Sequence, residues 1–317
     1  MNKNILYRLS NLFGTRVHDL LIDLYLLLKD FDGREHKCRL GNKNPDKTIY
    51  CIRRRYKGSG EGLLSLFIYI MGRIDYADRN GYIPFINVDE EQEQASMFNR
   101  YFRLKHGLSR AEVYESKNVI FSGWNCKNVF PGWCNYMCID YNQEKRALLD
   151  KYIELTDEMK ERLNRERSSI RPNECLGVYL RGTDYIRLKP LGHPIQPSFA
   201  EVKGRIDEFL SQDNCLKKLF LVTEDSKLKD QIMAVYGDLV VTVKDDQWYD
   251  RSNELIMDTV RKSCNVEDNN MRYLTKILLL SECRSFIGGL TNATIVAFAC
   301  RRKPYAQHYV HNVGQYT

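Results

Sequence analysis

The 317-residue sequence lacks the short patterns that mark the common metal sites. No HExxH segment is present, the six histidines are dispersed, and none of the ten cysteines form a CxxC pair. Cys126, Cys134 and Cys138 are grouped without a nearby histidine, which favours ordinary buried thiols over a zinc site. With no secretory signal and no compact cysteine framework, the sequence predicts a cytoplasmic protein without a metal.

The sequence also has no apolar run long enough to cross a bilayer. Its most apolar N-terminal stretch, residues 17–31, is interrupted by Asp19, Asp23 and Lys29. Leucines at helical spacing predict an amphipathic helix there. This helix either packs on the protein or lies on the inner face of the membrane, as peripheral amphipathic helices do.

Basic residues show little clustering, although the formal net charge is +7. The two dense groups are Arg53–Arg55 and Arg301–Lys303. Nucleic-acid binders usually carry larger basic patches with interleaved aromatic residues, so nucleic acid is not an expected partner. Anionic small molecules and membrane headgroups fit this charge equally well.

Internal repeats are absent as well, and the length suits two domains of ordinary size. The first half contains a strand, a glycine-rich turn, a helix and a strand, which is one βαβ unit. After a charged helical stretch, short apolar strands alternate with helices through the second half, as in a parallel sheet covered on both faces. We therefore predict an α/β fold with two Rossmann-like domains facing across a cleft, residues 1–171 and 172–317.

Three strands of the second half end in polar or glycine-rich tips. These tips are Arg181–Asp184, Thr223–Asp225 and Gly288–Gly289, the last followed by Thr291 or Asn292 at a helix start. Carboxyl ends of parallel strands share one edge of a sheet, so the three tips should lie close together. A helix start offers free N–H groups to an anion, and Arg181 can supply the charge for a diphosphate.

The glycine-rich turn "KGSGEG" (Lys57–Gly62) resembles a phosphate loop without matching a known one. Its lysine precedes the glycines, and the segment fits neither Walker A nor a complete GxGxxG. Gly60 and Glu61 are the residues of this loop that we expect near a bound sugar or nucleotide, because glycine lets the backbone approach closely.

These segments, in this order, resemble the fucosyltransferase superfamily of α-1,6-, bacterial α-1,2- and protein O-fucosyltransferases. "YLRGTD" (Tyr179–Asp184) resembles the first motif of the family, and "GHPIQPSF" (Gly192–Phe199) resembles the segment that follows it in the α-1,6 branch. Thr223–Asp225 matches the second motif, and Leu278–Ala299 follows the pattern of the third. The stretch from Gly58 to Ile86 resembles the family's glycine-rich opening helix and next strand.

The resemblance implies a GT-B fold with an acceptor-side first domain and a nucleotide-sugar-binding second domain. It implies an inverting, metal-independent glycosyltransferase that needs no cofactor and transfers a sugar, fucose from GDP-fucose in the first instance, to a glycan or lipid-linked saccharide. A role in bacterial surface polysaccharide synthesis follows from the same resemblance. The resemblance implies that Arg181 acts on the donor β-phosphate, and Asp184 and His193 are the further residues that we expect to be catalytic. The resemblance places Asp184, Asp225, Thr291 and Asn292 in the donor pocket. With the other strand-tip residues, we expect donor binding by Arg181, Thr223, Asp225, Gly289, Thr291 and Asn292.

The sequence departs from the family pattern at four positions. Gly182 replaces the second arginine of the first motif, and Tyr179 replaces its histidine. Lys189 stands where the α-1,6 branch carries a glutamate proposed as the base, and Lys276 replaces an aspartate. Candidate bases are Asp184, Glu61, His193 and Glu224. Two other functions stay open, which are use of a different nucleotide sugar and glycan or nucleotide binding without catalysis.

Overall fold

The computed structural model of this chain describes residues 35–53, 62–88, 98–123, 133, 139–252, 254 and 256–317. Its contacts divide the chain into two compact units. One unit is Met1–Asn135 with Leu148–Glu154 and Thr317, and the other is Tyr136–Ala147 with Leu155–Tyr316. Each unit has a sheet of its own, and the domain boundary expected after residue 171 stays a prediction.

The first unit is built on a four-stranded mixed sheet of order β1-β5-β2-β3. Strand β2 pairs in parallel with β3 and β5, whereas β1 is antiparallel to β5. A two-stranded pair, β4 with β6, completes the strands described in this region. In chain order the elements are β1 (His36–Cys38), β2 (Ile49–Arg53), α1 (Leu63–Arg79), β3 (Ile83–Asn87), α2 (Phe98–Tyr101), β4 (Phe102–Leu104), α3 (Arg110–Tyr114), β5 (Val119–Phe121), α4 (Gln143–Tyr152) and β6 (Ile153–Leu155).

Helix α1 is buried along most of its length because it crosses over from β2 to β3 and covers the sheet. Its one buried cation, Arg73, donates to the Tyr50 hydroxyl at 2.9 Å and to the Gly123 carbonyl oxygen at 2.6 Å. These bonds satisfy a charge that would otherwise be costly to bury. The βαβ unit predicted from the sequence is confirmed.

The second unit is built on five parallel strands in the order β11-β10-β7-β8-β9. Its elements are α5 (Asp157–Ile170), β7 (Cys175–Leu180), α6 (Thr183–Leu188), α7 (Phe199–Gln212), β8 (Lys218–Thr223), α8 (Ser226–Tyr236), β9 (Val240–Val241), α9 (Ile256–Ser263), α10 (Val266–Glu282), β10 (Ser285–Gly289), α11 (Asn292–Cys300) and β11 (His308–His311). Helices therefore alternate with strands, as the sequence predicts.

Both faces of this sheet are covered. Side chains alternate along a strand, so Leu176, Val178 and Leu180 of β7 share a face, which packs with Val202 of α7 and Leu228 of α8. On the opposite face, a Cβ at Gly177 would lie 2.8 Å from a methyl carbon of Leu280 in α10. Each large aliphatic side chain buried in this way stabilises the fold by ~1.5–3 kcal/mol.

The structure confirms the predicted α/β class with parallel sheets. The five-stranded sheet has helices on both faces, as in a Rossmann-like domain. The four-stranded sheet is mixed, and its described part does not clearly show a second Rossmann-like domain. Within the described ranges, no helix combines the length and apolar character needed to span a membrane.

Candidate functional site

The order in which strands are added to the five-stranded sheet changes side at β7. Strands β8 and β9 follow on one side of β7, whereas β10 and β11 are added on the other side. Connections leaving the carboxyl ends of β7 and β10 run in opposite directions, and α/β proteins bind ligands in the crevice that this creates. Residues 181–184 and 290–292 leave the two strands at this point.

Arg181 is the first residue after β7, and two carboxylates hold its guanidinium. Nη2 donates to Asp184 Oδ1 at 2.8 Å, and Nε lies 3.5 Å from Glu224 Oε1. The guanidinium also lies over the Tyr185 ring, 5.0 Å from its centroid. Burial lowers the pKa of Arg181, but Glu224 and Asp184 raise it by more, so the group stays charged. The site therefore holds a fixed cation suited to a phosphate.

Glu224, at the tip of β8, fixes the backbone turn that follows Arg181. Its Oε1 accepts a hydrogen bond from the Gly182 N–H at 2.9 Å and another from the Thr183 hydroxyl at 3.0 Å. One carboxylate oxygen thus orients the turn and also neutralises part of the arginine charge.

Asp225 is fully buried, and both of its oxygens accept bonds from the protein. The donors are the Thr183 N–H and the Leu228 N–H, both at 2.9 Å, and Arg251 Nε at 2.6 Å. Burial raises the pKa of Asp225, but these bonds lower it further, so the net shift is downward. Thr223 is buried too, and its hydroxyl accepts from the Asp225 N–H at 3.2 Å. In the described structure both side chains shape the crevice without exposing an oxygen to it.

Gly182 lies in direct contact with Asp225. A Cβ at position 182 would lie 2.3 Å from Asp225 Cβ and 2.3 Å from its Oδ2. A second arginine cannot occupy this position while Asp225 holds the turn. Glycine at position 182 therefore fits the close packing of the β7 and β8 tips.

The end of β10 is also closely packed. A Cβ at Gly289 would lie 2.3 Å from Gln196 Oε1. Thr291 is buried and caps α11, because its hydroxyl accepts from the Thr294 N–H at 3.2 Å. Asn292 is the first residue of α11 and is half-buried. The positive end of the α11 dipole thus lies at the carboxyl edge of the sheet, where it favours an anion.

His193 lies near Arg181 and Asp184, in the loop between α6 and α7. Its Nδ1 is 3.0 Å from the Tyr185 hydroxyl, and the two rings meet edge to face at 5.2 Å. The protein packed around the ring lowers the pKa of His193, Asp184 raises it, and Arg181 lowers it. Because the net shift is downward, the exposed imidazole is neutral at pH 7.

Several residues at this edge escape sequence reasoning. Tyr273 of α10 lies 3.3 Å from the Tyr179 hydroxyl, and burial raises the pKa of Tyr273 to about 12. The Ile256 N–H donates to Asp184 Oδ2 at 3.3 Å, and Arg251 pairs with Asp225. Tyr185 follows the first motif directly and could have been found from that position. The other residues come from distant loops and helices that no sequence signal connects.

Two lysines mark departures from the family pattern. Lys189 is exposed and ends α6 with a φ of +45°. Lys276 is buried and pairs with Asp246, with 2.6 Å between Nζ and Oδ1. At both positions a lysine thus stands where the family pattern has a carboxylate.

Some predicted features lie outside the described residues. These are Gly60 and Glu61 of the glycine-rich turn, the N-terminal helix of residues 17–31, and the thiols of Cys126, Cys134 and Cys138. In the described part of the chain, no group of three or more histidines, cysteines and carboxylates could hold a metal ion.

Comparison with known proteins gave matches among solved structures. Neither a family model nor a curated protein sequence matches the chain. A structure of the NodZ α-1,6-fucosyltransferase soaked with GDP-fucose is 15% identical with a TM-score of 0.48, and the match covers 80% of this chain and 93% of that chain. POFUT1 in complex with GDP is 11% identical with a TM-score of 0.45, covering 84% of this chain and 99% of that chain.

A third similar structure is the R284K mutant of FUT1 from Arabidopsis thaliana in complex with GDP. It is 10% identical with a TM-score of 0.43, and the match covers 86% of this chain and 72% of that chain. All three of these structures are of fucosyltransferases.

Proposed function

We propose that this protein is a glycosyltransferase that uses a nucleoside-diphosphate sugar, with GDP-fucose as the first candidate donor. The observation that carries the proposal is Arg181, a cation held by Asp184 and Glu224 at the switch point of a parallel sheet. When the sugar leaves its donor, negative charge develops on the diphosphate, and a preorganised cation stabilises that charge. The start of α11, at the end of neighbouring β10, adds a partial positive charge at the same edge.

The donor nucleotide is the part of the proposal that rests on the motif resemblance, which names GDP. Asn292 and Gly289 are the residues of the β10 tip that we assign to donor contacts. The buried Thr223, Asp225 and Thr291 keep that tip and the Arg181 turn in place. Inversion is proposed from the motif resemblance alone. The absence of a metal requirement is proposed because Arg181 and the α11 start supply positive charge beside the diphosphate.

We assign acceptor binding to the first unit, within a GT-B arrangement of residues 1–171 and 172–317. The described part of that unit contains a cavity of about 410 Å³, within the range of small-molecule sites. It is lined by Phe85, Ile86, Asn87, Asn99, Leu104, Gly107, Leu108 and Arg110. Carboxamides and a guanidinium on an apolar wall suit the hydroxyl groups and ring faces of a saccharide. A glycan array probed with wild type and Arg110→Ala tests this assignment through selective loss of binding.

The biological setting is proposed more broadly. The acceptor is a glycan or a lipid-linked saccharide of bacterial surface polysaccharide synthesis, modified in the cytoplasm. Residues 17–31 would bring the enzyme to the membrane face where such lipid-linked acceptors are found.

The experiment that tests the donor is calorimetric titration of the full chain with GDP, UDP and ADP. We expect GDP to bind, and GDP-fucose to be hydrolysed slowly with release of GDP and fucose. Binding of UDP in place of GDP would support another nucleotide sugar. GDP binding without turnover of GDP-fucose, in water or with any glycan, would support a binding protein. If no nucleotide binds, the proposed function is wrong.

A further inference from the structure

We propose that His193 accepts the proton of the acceptor hydroxyl, that Tyr185 holds its ring in the required tautomer, and that residues 314–316 position the loop that carries it. The inference rests on the proposed function, since it assigns the base of that same reaction.

The carboxylates at the site already bind protein donors. Asp184 is buried; its Oδ1 accepts from Arg181, and its Oδ2 accepts from the Ile256 N–H. Glu224 Oε1 accepts from the turn after Arg181 and lies 3.5 Å from the guanidinium. Oxygens of both carboxylates are already engaged by the Arg181 guanidinium and by backbone N–H groups. These two carboxylates are therefore suited to positioning Arg181.

His193 has the opposite properties. It is exposed at the same edge of the sheet, and the described part of the chain gives its Nε2 no hydrogen-bond partner. The groups that face it are Arg181, Asp184 and Tyr185. Its lowered pKa keeps the imidazole neutral near pH 7, which is the form that accepts a proton.

Tyr185 engages one of the two ring nitrogens, Nδ1. Burial raises the pKa of Tyr185 to about 12, so its phenol is protonated at neutral pH. The phenol can donate to Nδ1 or accept from Nδ1–H across the 3.0 Å contact. The proposal is the second arrangement, in which Nε2 carries the free lone pair. The Arg181 guanidinium lies over the Tyr185 ring, so Tyr185 contacts both Arg181 and His193.

Residues 314–316 pair with the His193 loop like a short antiparallel strand. The Gly192 N–H donates to the Tyr316 carbonyl oxygen at 2.8 Å, and the Tyr316 N–H donates to the His193 carbonyl oxygen at 3.0 Å. The Ile195 N–H donates to the Gly314 carbonyl oxygen at 2.9 Å. Three backbone bonds across four loop residues fix the height of His193 above the sheet edge.

The proposed step balances in atoms and charge. The acceptor O–H bond breaks and its proton moves to Nε2 of His193, while the acceptor oxygen bonds to the anomeric carbon. The bond from that carbon to the donor phosphate oxygen breaks, and its electron pair stays on the diphosphate beside Arg181. The imidazolium then releases its proton to water.

The first test uses His193→Gln, with GDP-fucose hydrolysis as the reaction and water in place of the acceptor. We expect kcat to fall by about 10²–10⁴-fold, the usual contribution of a general base. GDP affinity measured by calorimetry should be unchanged. His308→Gln is the matched control, because His308 lies at the amino end of β11, away from the crevice. A His193→Gln enzyme with the wild-type rate overturns the proposal.

The second test reads the tautomer directly by ¹⁵N NMR of the histidine rings, with His193→Gln used to assign the signal. At neutral pH we expect the proton on Nδ1 in the wild type and a mixture of tautomers in Tyr185→Phe. The rate should also show an acid limb centred below pH 6.5, the ordinary value for histidine, that is absent in His193→Gln. A wild-type ring with its proton on Nε2 contradicts the assignment.

The third test concerns the pairing of residues 314–316. Gly314 has a φ of +99° with open space around it, so Gly314→Ala strains the backbone without a clash. Gly237→Ala is the control, since Gly237 also has a positive φ and open space but ends α8. We expect Gly314→Ala alone to lower kcat and to mix the His193 tautomers. Equal behaviour of the two variants overturns the role of residues 314–316.

Failure of this inference can be distinguished from failure of the proposed function. If the wild type binds GDP and hydrolyses GDP-fucose while His193→Gln does so equally well, only the assignment of the base is wrong. If the wild type binds no nucleotide, the proposed function itself is wrong, and the inference about the base is overturned with it.

Discussion

Gly182 and Asp225 are in such close contact that the turn after β7 has no space for a side chain. We expect Gly182→Ala to destabilise the protein by about 1–3 kcal/mol, the usual cost of overpacking a filled site. Gly204 lies inside helix α7 with nothing within 4 Å of its would-be Cβ. Gly204→Ala should therefore stabilise by about 0.5–1 kcal/mol. Thermal unfolding of both variants measures the contrast, and a neutral Gly182→Ala would contradict the packing described here.

Arg181 can be tested without removing its charge. Arg181→Lys keeps a cation for Asp184 and Glu224, so the unfolding temperature should change little. A lysine cannot reproduce the planar, bidentate donors of arginine, so GDP-fucose turnover should fall by about 10²–10³-fold, as when one oxyanion donor is lost. GDP release assays and thermal unfolding, run on the same preparation, separate the two effects. Wild-type turnover by Arg181→Lys would show that the guanidinium does not act on the diphosphate.

Helix α8 depends on Asp225 at its start, and this dependence gives a pH signature. The folded-state pKa of Asp225 lies below its ordinary value of 3.8, so the carboxylate stabilises the fold above about pH 4. That contribution is lost as the pH falls through the lowered folded-state pKa. We expect Asp225→Asn to destabilise by about 2–4 kcal/mol at pH 7, because an asparagine oxygen can still cap the helix but its amide nitrogen cannot accept from Arg251 and the Thr183 N–H. Chemical unfolding at pH 7 and in acid should show the gap between the two proteins shrinking as the pH falls.

A gap that stays constant from neutral to acid pH would contradict this account of Asp225. Asp238→Asn offers a comparison, because Asp238 is exposed in the turn after the same helix. That variant should unfold like the wild type at both pH values.

The elements of the second unit could be predicted because their sequence patterns are strong and local. Strand β7 is buried throughout, and helices α7 and α8 start at side-chain caps, Ser198 and Asp225, that the sequence displays. The strands β1, β4, β5 and β6 escaped prediction because each has three residues. Such short strands are set by partners far away in the chain, and local sequence does not report those partners.

The candidate site divides in the same way. Arg181 could be found because a cation at a buried strand tip is visible in the sequence. The pairing of Asp225 with Arg251, and of Tyr179 with Tyr273, could not be found, since it depends on how distant helices and loops return to the sheet. Gly182 appeared as a departure from the family pattern, and its close contact with Asp225 is visible only in the structure.

For the whole molecule, the proposed donor site makes a regional prediction. Bound GDP should slow amide exchange at the carboxyl edge of the five-stranded sheet, in residues 181–184 and 289–292. The strands of the four-stranded sheet, such as β2 and β3, should exchange at unchanged rates. Exchange measured by mass spectrometry with and without GDP gives this map, with ADP as the control. Protection confined to the four-stranded sheet would move the donor site to the first unit.

The increase in unfolding temperature that GDP causes can be used to test whether GDP binding requires a metal ion. A ligand that binds only the folded protein stabilises it by about 2.7 kcal/mol at one hundred times its dissociation constant. Because Arg181 and the start of α11 supply the positive charge in our proposal, EDTA should change neither this stabilisation nor the turnover of GDP-fucose. Unfolding temperatures measured over a GDP series, with EDTA and with added Mg²⁺, provide the measurement. A GDP effect that disappears in EDTA and returns with Mg²⁺ would mean that a cation shares the role assigned to Arg181.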